Sequence, residues 1–175
     1  MIPKKTKQYG ILLSSMNTAI EKECYLEAIT IEYAIMENRT AKLLVHLQLK
    51  SFSVATNGSL SLYDKTDLLR RALDNNDDSA QIIISGLTEK RNVEFLKRVG
   101  ARLKKFLSST RPYSVDNFRK KRNDLTHALA FLNDDLQYHT PNDFKDLAID
   151  GQKIANALCK DVSHLKRYLK RHHIE

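Results

Sequence analysis

Tryptophan is absent from the 175 residues, and proline (three), glycine (five) and cysteine (two) are scarce. With so few chain breakers, and with long segments rich in Leu, Ala, Glu, Lys and Arg, the composition is that of a helical protein. Cys24 and Cys159 sit at helical core spacing without any Cys-x-x-Cys pair, so neither a disulfide framework nor a zinc site has support. A reducing interior is the simpler assumption. The basic start, Met1 to Lys7, leads into no adequate apolar stretch for a signal peptide. No run approaches the roughly 18 consecutive apolar residues that span a bilayer. A cytoplasmic protein with no membrane partner is expected. A phosphate-cradling Gly-rich loop, a His-Glu-x-x-His pair and a Gly-x-Ser-x-Gly elbow are also missing, so no cofactor or metal is implied.

What is present is enough for one core. At 42% hydrophobic content the length fits a single helical domain over residues 1–175. The formal charge is +8 and the pI about 9.5, which draws a polyanion from a distance, with nucleic acid the first candidate. The charge is concentrated. Residues 88–122 hold twelve Lys and Arg against Glu89, Glu94 and Asp116, a local excess of nine. A solvated helix face is the plainer explanation of such a run taken alone.

Apolar periodicity organises the chain. From about residue 10 to 47, Leu13, Met16, Ile20, Cys24, Ala28, Ile31 and Ile35 recur every three or four positions, with Glu21, Glu23, Glu27, Glu32 and Glu37 as flanking polar positions. One long helix is expected there, with Tyr25, Tyr33 and Met36 widening its apolar side. Residues 50–64 read as a surface loop around Asn57-Gly58. A short helix follows from Thr66, ended by the turn-forming run 74–78, and another is expected around Ile82 to Ile84. Residues 88–108 form the basic helix, buried through Val93, Leu96, Val99, Leu103 and Phe106, with Gly100 permitting close approach. Ser114 caps the next helix, which has Asp116 in its first turn and runs to about Leu132. Thr140-Pro141 opens the last, whose seam of Phe144, Leu147, Gly151, Ile154, Leu158, Val162, Leu165 and Leu169 continues nearly to the end. The expected fold is an all-α, up-and-down bundle of four main helices with a short insertion over residues 50–86.

The helix after Ser114 carries the chemistry. With Arg122 at 0° on a wheel of about 100° per residue, Thr126 falls near 40°, Arg119 near 60°, Asn123 near 100° and His127 near 140°. Phe118, Leu125, Leu129 and Leu132 lie between about 280° and 340°, so the polar arc is clear of the packing stripe. Asn123 and His127 are four apart, close enough for the amide to orient the imidazole. Arg119, Lys120 and Lys121 belong to the basic approach and are candidate nucleic-acid contacts. Periodicity alone makes an exposed histidine without a role the commoner case.

The string Arg122-Asn123-x-x-x-His127 is late in a helical chain whose beginning has Glu21-x-x-x-Tyr25 and Arg39-x-x-x-Leu43-Leu44. In these features the chain resembles the HEPN superfamily, loosely over residues 14–171. That resemblance implies a metal-independent endoribonuclease working as a homodimer, with the arginine and histidine of both subunits in one cleft. Carried over, Arg122 would hold and stabilise the phosphate, His127 would act as general acid or base, and Asn123 would be the polar residue after the arginine. Attack of a ribose 2′-hydroxyl on phosphorus needs one proton removed and one delivered, which two histidines can divide. It would leave a 2′,3′-cyclic phosphate and a 5′-hydroxyl. The resemblance further suggests a toxin–antitoxin, phage-defence or stress system with an antitoxin protein as partner. Some members carry a modifiable tyrosine two residues after the histidine; here Leu129 stands there. The alternative is a non-catalytic module binding nucleic acid or a protein through its basic surface.

Overall fold

The computed structural model describes residues 4–47, 60–74, 90–107, 113–130 and 141–172, and every statement below concerns these. They form an all-α bundle of six helices: α1 (Lys4–Glu21), α2 (Tyr25–His46), α3 (Leu62–Asp74), α4 (Lys90–Leu107), α5 (Val115–Ala130) and α6 (Pro141–Arg171). The expectations for Asn57-Gly58, Ile82 to Ile84, Leu132 and Thr140 fall outside the described residues.

The single long helix expected over residues 10–47 is two helices. Glu23 adopts a left-handed conformation with φ 58°. Around it the Glu23 amide donates to the Ile20 carbonyl at 3.0 Å and the Cys24 amide to the Ala19 carbonyl at 2.8 Å, the paired bonds of a Schellman helix end. A non-glycine residue in this role carries no sequence signal, which is why periodicity runs through the break. Cys24 is consequently exposed at the turn instead of lying in the core. Tyr9 Oη donates to Asn38 Oδ1, so α1 folds back antiparallel along α2.

The α2–α6 interface is the largest in the molecule. These helices run parallel: Glu32 packs on Gly151, and seven residues further along α2 the Arg39 Nε donates to Cys159 Sγ at 3.2 Å. The main core gathers Ile29, Met36, Leu43 and Leu44 of α2 with Leu147, Ile154, Leu158 and Leu165 of α6, closed by Leu69, Leu103 and Phe118 from α3, α4 and α5. A smaller cluster of Met16, Ile35, Ala155 and Cys159 fastens α1.

Helix α3 begins at Leu62, four residues before the expected start at Thr66. Its start is fixed by a reciprocal cap: the Asp64 amide donates to Ser61 Oγ at 3.2 Å, and the Ser61 amide donates to Asp64 Oδ2 at 3.0 Å. The Ser61 hydrogen bonds hold the Asp64 carboxyl below its ordinary range. Lys65, almost wholly buried, ties α3 to α2 through Glu37 Oε1 at 3.1 Å. No helix among the described residues is long and apolar enough to cross a membrane.

Candidate nucleic-acid site on helix α5

Ser114 starts α5 as its side chain requires: Ser114 Oγ accepts the Asn117 amide at 3.2 Å. Phe118 and Leu125 are then turned into the core, which rotates the opposite face outward. Arg119, Arg122 and Asn123 are half-buried along that face, and Lys120, Lys121, Thr126 and His127 are exposed. The polar arc expected from the helical wheel is therefore present among the described side chains.

Within the arc the residues have different duties. Arg119 donates through Nε and Nη2 to Asp116 Oδ1 at 3.2 and 2.8 Å, and its guanidinium lies 5.1 Å from the centre of the Tyr63 ring. Lys120 Nζ adds a 3.3 Å ion pair to Asp116 Oδ2. Asp116 is buried, so these two cations compensate its charge within the first turns of α5. Both were candidates for nucleic-acid contact; Lys120 is exposed enough to do both jobs, whereas Arg119 is engaged on two sides. A cavity of about 190 Å³ between Tyr63, Arg70, Leu107, Asp116 and Lys120 opens beside them.

Arg122 is held differently. Its guanidinium sits 4.8 Å from the centre of the Tyr33 ring on α2, and Nη1 donates to Asn123 Oδ1 at 3.1 Å. An aromatic face and an amide oxygen orient the fork without neutralising it, since neither partner carries charge. The Asn123 amide oxygen thus serves the arginine. Thr126 Oγ1 donates back to the Arg122 carbonyl at 2.7 Å, which keeps that hydroxyl on the helix. His127 is exposed just over one turn beyond Arg122 on the same arc.

Two residues behind this face escaped the sequence reading. Tyr33 was assigned to packing, and its ring proves to be the platform for Arg122. Glu32 was assigned to a flanking polar position, yet it is fully buried, and neither carboxyl oxygen has a hydrogen-bond partner among the described residues. Burial, with a smaller contribution from Asp150, pushes its carboxyl from 4.5 up to about 9, so the acid is neutral at physiological pH. It occupies the junction of three helices. A Cβ at Gly151 of α6 would overlap both Glu32 Oε2 and the Phe118 ring of α5. A signal existed: Glu32 is four residues from both Ala28 and Met36 and three from both Ile29 and Ile35, all buried, so spacing puts it within the apolar stripe.

Among the described residues no group of three His, Cys, Asp or Glu side chains is arranged to hold a metal ion. No family model, no curated protein and no solved structure matches this chain.

Proposed function

We propose that the chain is a HEPN-type endoribonuclease in which Arg122 and His127 act on the RNA phosphodiester, with a second copy completing the site. The observation that carries this reading is the setting of Arg122. A guanidinium braced by Tyr33 and Asn123, still fully charged, is suited to gripping phosphoryl oxygens as negative charge grows on them. His127, exposed on the same helix, would supply the proton transfer.

In the proposed reaction the ribose 2′-oxygen loses its proton to one imidazole and forms a bond to phosphorus. The bond from phosphorus to the 5′-oxygen breaks, and that oxygen takes a proton from the second imidazole, contributed by the partner copy. The products are a 2′,3′-cyclic phosphate and a 5′-hydroxyl. Lys121, exposed on α5, and Lys120 would extend the contact along the strand, and a protein antitoxin covering this face would block it.

The test is cleavage of single-stranded RNA in EDTA with chromatographic identification of the ends. Cyclic phosphate products from the wild type, and their loss in His127→Ala and Arg122→Ala, are expected; a well-placed acid or base contributes roughly 10² to 10⁴ in rate. Absence of cleavage by the wild type, with RNA binding that survives His127→Ala, would favour a non-catalytic binding module instead.

A further inference from the structure

At the surface Arg102 bridges helices α4 and α6. Arg102 Nε pairs with Asp161 Oδ1 at 3.2 Å, and its Nη2 lies 3.4 Å from His164 Nδ1. Asp161 is buried and compensates Arg102, which leaves the other cations of this surface without it.

Each helix presents a cationic stripe that passes through this bridge. On α4, Arg98, Arg102 and Lys105 fall within an arc of about 60°, on the side away from Leu103 and Leu107. On α6, Lys160, Arg167 and Arg171 fall, with His164, within another arc of about 60°. All of these side chains are exposed. Arg102 belongs to the first stripe and His164 to the second, so the stripes meet where those two side chains touch. Arg98 donates Nε to the Glu94 carbonyl and Arg167 to the Ser163 carbonyl, each one turn back on its own helix, and neither is paired with a carboxylate among the described residues.

We infer that this α4–α6 surface is a docking track for the phosphate backbone of RNA, additional to the α5 arc. Besides Arg102, which the buried Asp161 compensates, five cations line this surface, with Glu94 as an exposed acid at its α4 end. The α6 stripe alone, from residue 160 to 171, is about 16 Å long at 1.5 Å per residue, which suits several successive phosphates better than one small anion. Arginine predominates, and its fork matches phosphate oxygens. The cationic end of α6 is thereby given a partner beyond its own helix dipole. The inference takes RNA as the ligand from the proposed function but does not depend on catalysis by Arg122 and His127.

The experiment measures binding of a labelled 2′-O-methyl RNA oligonucleotide, which lacks the attacking hydroxyl, by fluorescence anisotropy over a range of salt concentrations. The wild type is compared with Arg98→Ala/Arg167→Ala and with a control pair of equal charge change, Lys22→Ala/Lys145→Ala. Circular dichroism verifies that each variant is folded. The Arg98/Arg167 pair should weaken binding by about tenfold or more at low salt and reduce the slope of log affinity against log salt by about 1.4, at about 0.7 per phosphate contact on a single strand. The control pair should bind close to wild type. Equal losses in the two pairs would show attraction by net charge alone and overturn the track, as would a wild type that does not bind. Displacement of the RNA by polyglutamate at matched charge concentration would point to an acidic protein partner and overturn it also. Because the oligonucleotide cannot be cleaved, this test is separate from the cleavage assay, whose failure would leave the track standing.

Discussion

Glu32 and Tyr33 are neighbours on α2, and each meets a residue of α5, but the two contacts are solved in opposite ways. At Glu32 an ionisable group has been enclosed between Phe118 and Gly151, has no hydrogen-bond partner among the described residues, and responds by staying protonated. At Tyr33 the ionisable group is Arg122, which rests on the ring and the Asn123 oxygen at the edge of the bundle. Burial of an unpaired charge costs more than neutralising it, so a carboxyl can be taken inside as an acid. Arginine has no comparable escape, since its pKa is far above neutral, and it is kept where water and an aromatic face support it. One junction therefore holds the helices together; the other keeps a charge available at the surface.

On the functional side the largest effect is expected from His127→Ala, on the same helix as Arg122, which should reduce cleavage by roughly 10² to 10⁴ with little change in thermal midpoint. Glu32→Gln should do the reverse. A carboxyl raised from 4.5 to about 9 in the folded chain favours folding most below pH 4.5, and this contribution is lost as pH rises through 9. At about 1.4 kcal/mol per pH unit, the folded wild type forgoes roughly 3 kcal/mol at pH 7 relative to pH 4.5. Urea unfolding over this pH range should show wild-type stability falling with pH and a much flatter profile for Glu32→Gln, with the variant the more stable at pH 7. Parallel profiles would mean that the acid is not proton-linked to folding.

Gly151→Ala probes the same junction from α6. A helix interior ordinarily gains up to about 1 kcal/mol from this change, but overpacking against a buried acid and a buried ring costs about 1 to 3 kcal/mol. A net loss of about 1 kcal/mol in chemical denaturation is expected, and a gain would show that the three helices can move apart freely. The smallest effect is expected at the α1–α2 turn, away from both junctions. Glu23→Gly should raise stability by at most about 1 kcal/mol, because relief of left-handed strain is partly offset by glycine's backbone entropy. A clear loss there would mean that the Glu23 side chain contributes contacts of its own.

Regular local patterns are what the sequence makes legible. The apolar seam of α6 and the Ser114 cap are properties of local sequence, and both stand in the structure. So does the polar arc of α5, since Phe118 and Leu125 fix the rotation of that helix. The break at Glu23 was not legible, because an L-residue was put where glycine usually signals the turn. The Ser61 and Asp64 cap is local as well, and it starts α3 four residues before Thr66. At Glu32 residue type points outward and spacing points inward, and spacing prevails. The platform under Arg122 required tertiary contact: nothing in Tyr33 or its neighbours on α2 announces which residue of α5 will lie over it.

The proposed function depends on Arg122 and His127 working as one unit. Single-turnover cleavage of RNA in EDTA by the wild type, Arg122→Ala, His127→Ala and the double variant measures this directly. If the two act together on one phosphate, the double variant is no slower than the slower single variant, because removing either already disables the unit. Single variants that cleave at the wild-type rate, or losses that multiply in the double variant, would contradict it.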